Sequence, residues 1–304
     1  MRYVDLHCDT LNPEGVLQVT KQRLEAGGCA LQCFAAFVSA RENRFRQAMT
    51  LADSFYALCE REQINPIKGN SLSGGENAML TVEDGGAIEG SLEKLECLSE
   101  HGVRMMTLTW NYENEIGYPA FPDYEGLLAG RRTLSQREER RGLKPFGFEC
   151  VERMNGLKMI VDVSHGSDQL VRDVASVAKK PFVASHSGAQ SAFNVARNLS
   201  DEGIKLIAKS GGVVGLYFCA DFLASDLSIE GQRTALLRHA RAIVNAGGED
   251  ALAIGSDFDG IPENPYLKNP AYMPDFLSRL ADEFGGRRAE KFAFHNFIRV
   301  LSEQ

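Results

Sequence analysis

The sequence predicts an α/β protein, a single-domain (β/α)8 barrel of TIM type over residues 1–304, on three observations. Eight short, β-rich apolar runs recur along the chain, amphipathic stretches separate them, and most of the runs end in polar or titratable residues. Runs with almost no polar alternation suit parallel strands covered on both faces. Eightfold alternation of strand and helix reads as a barrel, with an open doubly wound sheet as the alternative.

The runs come in order as "YVDLHCD", "CALQCFAAFVS", "AMLTVEDGG", "VRMMTLTWN", "KMIVDVSH", "PFVASHS", "GVVGLYFCA" and "ALAIGSDFDG". Helical patterns fall at 43–62, 90–101, 168–178 and 230–246. Ser167-Asp168 and Ser200-Asp201 are N-cap signals, because a Ser oxygen can accept from a free N–H of the first turn. Residues 111–147 are rich in Gly and Arg and weakly periodic, and read as an active-site loop after the fourth strand. Residues 287–304 read as a closing helix.

With 44% hydrophobic and 24% charged residues, the composition is that of an ordinary globular protein. Net charge is −8, and the densest basic stretch, "RRTLSQREERR", is interleaved with acids, so no nucleic-acid partner is expected. No apolar run approaches the roughly 20 residues of a membrane span, and no secretion signal is visible at Met1, so a cytoplasmic location is expected. The seven cysteines are scattered without a CxxC pair and read as reduced, buried thiols.

Chemistry in such a barrel gathers at the C-terminal ends of the strands. The first run ends with His7 and Asp9, the third with Glu83, the fifth with His165, the sixth with His186, and the eighth with Asp257 and Asp259. In a strand, residues i and i+2 share a face, which would pair His7 with Asp9. Three of the six histidines stand at strand ends. Imidazoles and carboxylates converging on one mouth suit a divalent metal such as Zn²⁺. The ligands are too many for one tetrahedral ion, so two ions bridged by Glu83 are expected. A water shared by two ions becomes a hydroxide near neutral pH, which is the equipment of a hydrolase. Asp257 is the candidate proton shuttle.

Taken together, "DLHCDT", "VEDGGAIEGSL", "GVRMMTLTWN", "KMIVDVSHGS", "PFVASHSGAQ", "ARNLSD", "AIGSDFDG" and "HNFIRVL" resemble the renal (membrane) dipeptidase family of the amidohydrolase-like barrels. The resemblance implies a binuclear zinc dipeptidase. His7, Asp9 and Glu83 would hold one ion, and Glu83, His165 and His186 the other. Asp257 would handle the proton, and Arg197 would clamp the free carboxylate of the dipeptide, as a forked guanidinium can. It further implies tolerance of a D-residue at the C-terminal position, β-lactam opening by some members, and a homodimer. One departure stands out. Where the family usually closes the fourth strand with "LTH", this chain has "LTWN", with its only tryptophan, Trp110. An indole donates one hydrogen bond and carries no charge. Oxyanion stabilisation would then fall to Asn114 or to the metals, and Trp110 would form an apolar wall.

Three functions follow from this reading: a metal-dependent dipeptidase, an amidohydrolase acting on a lactone, lactam or N-acyl amino acid, and a catalytically silent metal-containing barrel that binds a ligand.

Overall fold

In the computed structural model, which describes residues 1–12 and 16–304, each apolar run becomes a strand because both its faces have something apolar to meet. The strands are β1 (Tyr3–Asp5), β2 (Cys29–Phe37), β3 (Asn65–Ile67), β4 (Asn77–Glu83), β5 (Met105–Thr107), β6 (Ile160–Asp162), β7 (Ala184–Ser187), β8 (Val214–Leu216) and β9 (Leu252–Ile254). They run in the order β6-β5-β4-β2-β1-β9-β8-β7, and an Asp162–Val183 bridge joins the two ends. Every ladder is parallel. The ring is the (β/α)8 barrel that the eight runs predict.

Alternate residues of one strand go to opposite layers. Phe34, Leu80, Met106, Val161 and Val214 face outward onto helix residues such as Phe55, Leu95, Val151 and Leu170. Cys33, Met79, Met105, Ile160, Val183 and Ala253 face inward, and Phe297, Val300 and Leu301 of the tail pack on them. Two positions further along the inward faces, the side chains turn polar: Thr81, Thr107, Asp162 and Ser185 are all buried. The barrel is thus oily at its N-terminal end and polar beneath its mouth.

β3 has no counterpart among the eight predicted runs. It lies beside the first half of β4, and β5 takes the second half. Pro66 at its centre lacks an N–H, which a strand with a free edge tolerates. Helices Arg44–Glu62, Leu92–Glu100, Asp168–Val177 and Ile229–Gly247 fall on the predicted periodic stretches. Ser167 and Ser200 cap as expected, accepting from Leu170 N at 3.0 Å and Gly203 N at 3.2 Å. The tail is helical over Gly286–Glu290 and Asn296–Ser302, with a π-helical turn, Lys291–His295, between. Residues 111–147 contain a short helix, Tyr124–Leu128, and reach the rim through a Pro119–Gly166 bridge. Among the described residues no helix is long and apolar enough to cross a membrane.

His239 is fully buried on helix Ile229–Gly247 and braces the segment after β7. Its Nδ1 accepts from Ala189 N at 3.0 Å, so its Nε2–H donates to Leu223 O at 3.1 Å. Burial, with Arg238 nearby, lowers its pKa to about 4 against the helping Leu223 carbonyl. The unfolded chain therefore binds a proton here between pH 6.5 and about 4 that the folded chain refuses. Stability is expected to fall through that window by up to about 1.4 kcal/mol per pH unit from this group. His239→Gln should flatten that part of the pH profile, measured as urea midpoints of both proteins from pH 7 to 4.

Candidate metal centre and its rim

β1 is regular only to Asp5, and strict alternation does not carry His7 and Asp9 to the site. Leu6 packs in the inner layer and Cys8 in the outer one, so the chain changes face between them. His7 and Asp9 meet all the same, Nε2 to Oδ2 at 3.4 Å. Cys8 points away, its sulfur 3.3 Å from Thr10 Oγ1, which donates its proton to Asp259 Oδ2 at 2.6 Å. Two more site residues need unusual backbone: His165 and Asp257 sit at φ 65° and 67°, in the left-handed region. Such a conformation costs about 1–3 kcal/mol for a residue with a Cβ, and persists where surrounding structure enforces it.

Glu83, the last residue of β4, is the centre of the cluster. Its Oε2 lies 3.5 Å from His7 Nε2. Its Oε1 lies 3.0 Å from His165 Nε2 and 3.4 Å from His186 Nε2. The two ring nitrogens of His165 and His186 are themselves 3.0 Å apart. Asp257 Oδ1 is 3.8 Å from His7 Nε2. The ligand atoms of His7, Glu83 and His186, and those of His7, Asp9 and Asp257, lie within 4.8 Å of one another. Donors bound at about 2.1 Å around a tetrahedral or octahedral ion lie roughly 3.0–3.4 Å apart, and the separations here run from 3.0 to 3.8 Å. His7 Nε2 and Asp9 Oδ1 are buried and have no hydrogen-bond partner in the protein. The residues thus fit a metal by spacing, donor type and unsatisfied valence.

The electrostatics agree. Burial resists charge on His7, yet the Glu83 and Asp9 carboxylates outweigh it and raise its pKa well above the usual range. Burial and the Glu83 charge lift Asp9 to about 6. Burial, with Asp9 and Glu83 as like charges, raises Asp257 well above the carboxylate range. Burial would lift Glu83 too, but the three imidazoles pull it well below its ordinary value. Burial and Arg197 bring His165 to about 4, and burial with His7 lowers His186. Two rings are held neutral, as ligands must be, while the carboxylates opposite them demand positive charge.

The rim residues divide. Arg197 is 4% exposed, donates to His186 O at 3.2 Å and lies 5.7 Å from the centre of the Tyr217 ring. Asn198 fixes its segment, donating to Phe193 O and Phe222 O and accepting from Tyr217 Oη. Trp110 is half-buried among Phe37, Tyr112 and Tyr124, with ring centres 5.1–5.7 Å away, and is 6.2 Å from His165. Asn114, expected from sequence to face substrate, is used elsewhere. Its Nδ2 donates to Asp84 Oδ1 and Leu108 O, and its Oδ1 accepts from Ile116 N and Gly117 N. An amide with all its bonds inside a loop cannot also serve an oxyanion. The asparagine that reaches the site is Asn111, whose Oδ1 lies 2.8 Å from His165 Nδ1. Sequence reading passed over it; its place directly after Trp110 at the strand end was the available signal. Gly260 was missed too. A Cβ there would overlap Asp9 Oδ2 and come within 2.8 Å of Asp257 Oδ1.

A closed (β/α)8 ring with three imidazoles and three carboxylates at its mouth has the build of a metal-dependent hydrolase. The family model described as membrane dipeptidase (peptidase family M19) matches residues 4–304, and the chain belongs to that family. A Klebsiella pneumoniae protein described as an uncharacterized protein in the pqqA 5′ region is 33% identical over 223 residues, 72% of this chain and 79% of that one. An uncharacterized dipeptidase of Schizosaccharomyces pombe is 32% identical over 204 residues, 67% of this chain and 46% of its own. The fold matches the solved structure of a family M19 metallopeptidase, dipeptidase AC, at TM-score 0.88 and 23% identity, covering 100% of this chain and 98% of that one. It also matches a Rhodobacter sphaeroides metallopeptidase liganded with a phosphinate mimic of L-Ala-D-Ala, at TM-score 0.85 and 22% identity, covering 100% and 99%.

Gly260→Ala tests the crowding at Asp9. The variant should keep its circular dichroism and lose at least half of its bound metal after dialysis against buffered Zn²⁺, read by atomic emission.

Proposed function

We propose that this chain hydrolyses the peptide bond of dipeptides with the help of two divalent ions, zinc being the best match for imidazole and carboxylate donors. The observation that carries the reading is the divided Glu83 carboxylate, one oxygen toward His7 and the other toward His165 and His186. His7, Asp9 and Glu83 would hold one ion, and Glu83, His165 and His186 the other. When bound, such ions acidify a water and polarise the scissile carbonyl.

The protein's own groups do the rest. Asp257 is at the edge of the cluster, with its side chain 13% exposed, so substrate can reach it. A carboxylate at this place can take a proton from the attacking water and pass it to the leaving amine. Arg197 is buried beside His186, where its guanidinium would grip the free carboxylate and set the scissile bond over Glu83. Trp110, with Phe37 and Tyr124, forms an apolar wall beside His165 and would bound the space for a substrate side chain. The dipeptide mimic held by the Rhodobacter sphaeroides relative supports a D-residue at the C-terminal position of the substrate.

Turnover of an L-Ala-D-Ala-type dipeptide should vanish on chelation and return with Zn²⁺. Arg197→Ala should raise KM about 10- to 100-fold, from the roughly 1.5–3 kcal/mol of a charge-assisted bond, with a smaller change in kcat. Faster cleavage of N-acyl amino acids than of dipeptides would favour the amidohydrolase reading. Bound metal without turnover of either class would favour the silent barrel.

Asp257→Asn should lower kcat by at least about 100-fold, the contribution of a positioned acid-base group, and leave metal content unchanged. Loss of metal along with activity would make Asp257 a ligand instead.

A further inference from the structure

We propose that Asp162 and Ser185 are positioning residues that fix the tautomer of His186, leaving its Nε2 lone pair aimed at Glu83; this rests on the metal-site reading above. Asp162 ends β6, Ser185 and His186 lie on β7, and the three span the seam where the barrel closes.

Asp162 is completely buried and accepts from four neutral donors. Oδ1 takes Ser164 N at 2.9 Å and Ser185 N at 2.8 Å. Oδ2 takes Thr107 Oγ1 at 2.6 Å and Ser185 Oγ at 2.5 Å. A serine hydroxyl has one proton, and Ser185 gives its proton to Asp162. Toward His186 Nδ1, 2.8 Å away, Ser185 Oγ is therefore an acceptor. His186 must carry its hydrogen on Nδ1, and Nε2 is left with a lone pair 3.4 Å from Glu83 Oε1. Without this relay the ring could place a proton on Nε2 and donate it to Glu83, occupying the position a metal needs.

The barrel carries a second Asp–Ser pair that serves as a contrast. Asp5 accepts from Ser256 Oγ at 2.6 Å, Ser256 N at 2.8 Å and His7 N at 3.3 Å. That pair holds the His7 backbone, whereas Ser185 touches the His186 ring itself.

Asp162→Asn gives the sharpest test. Two backbone N–H groups face the Oδ1 position, so the new amide must put its oxygen there and its NH₂ toward Ser185 and Thr107. Ser185 then receives a hydrogen bond, and its own proton goes to His186 Nδ1 at 2.8 Å in preference to Ser164 Oγ at 3.3 Å, reversing the tautomer. The whole chain, labelled with ¹⁵N-histidine, would be examined by long-range ¹H–¹⁵N correlation before and after Zn²⁺ addition. His186 would be assigned by His186→Gln. The expected result is Nδ1–H in the parent and in Thr107→Ala, which removes a bond to Asp162 but spares the relay. Asp162→Asn should show Nε2–H, and Ser185→Ala a mixture. Zinc affinity, by chelator competition, should drop about 10- to 100-fold in both relay variants, the usual effect of losing a ligand's supporting partner, and less than threefold in Thr107→Ala. An Nε2–H parent, or a folded Asp162→Asn protein with the parent tautomer, overturns the proposal. If neither relay variant folds, the parent spectrum alone still decides. The tautomer is read without turnover, so failure of the dipeptidase reading leaves this result standing, and the reverse.

Discussion

The structure turns on one carboxylate that three imidazoles surround. Glu83 lies within 3.0–3.5 Å of nitrogens from β1, β6 and β7 territory, and no other residue of the cluster touches all three. Such a group would be costly to bury alone. Here His7, whose pKa the carboxylate raises, answers its charge, and its own position follows from being the last residue of a seven-residue strand paired along one side with β2. The barrel's closure matters for the same reason: the Asp162–Val183 seam sets His165, after β6, beside His186 on β7.

Around that centre the molecule grades from apolar to polar. The tail helix seals one end with Phe297, Val300 and Leu301. Above this lies a layer of Thr and Ser hydroxyls and the Asp162 carboxylate, and above them the titratable cluster. The buried hydroxyls join backbone and side chains across neighbouring strands, so the donor atoms stand on a stiff platform. Positive-φ residues such as His165 and Asp257 are affordable on it because strand pairing fixes the chain on either side.

Residues 111–147 give the rim its individual character. Ala120 N donates to His165 O at 2.6 Å, and Ala196 N donates to Leu134 O at 2.6 Å, so this segment touches both the metal side and the Arg197 side. Trp110 enters the same neighbourhood with Tyr112 and Tyr124. The indole lies 6.2 Å from His165, and the two phenol rings pack against the indole.

Much of the fold was legible because its cues are local. Unbroken apolar runs, Ser N-caps at 167 and 200, and helical periodicity need only near neighbours to be read. The residues of the cluster were legible as types at strand ends: His7, Asp9, Glu83, His165, His186 and Asp257 stand out by chemistry and position alone, and the structure brings them together. What sequence could not supply was partnership. Asn111 and His165 are 54 positions apart, and Asn114, three residues from Asn111, turns into its own loop. β3 carried too few apolar residues to announce itself, and its pairing depends on a free stretch of β4. The pairing of His7 with Asp9 was inferred from alternation that the chain abandons after Asp5. Sequence by itself determined the kind of barrel and the supply of imidazoles and carboxylates at its mouth, because local propensity and burial patterning are written residue by residue. Tertiary structure alone decided which atoms face which, because hydrogen-bond geometry depends on angles and distances between strands that meet only when the ring closes.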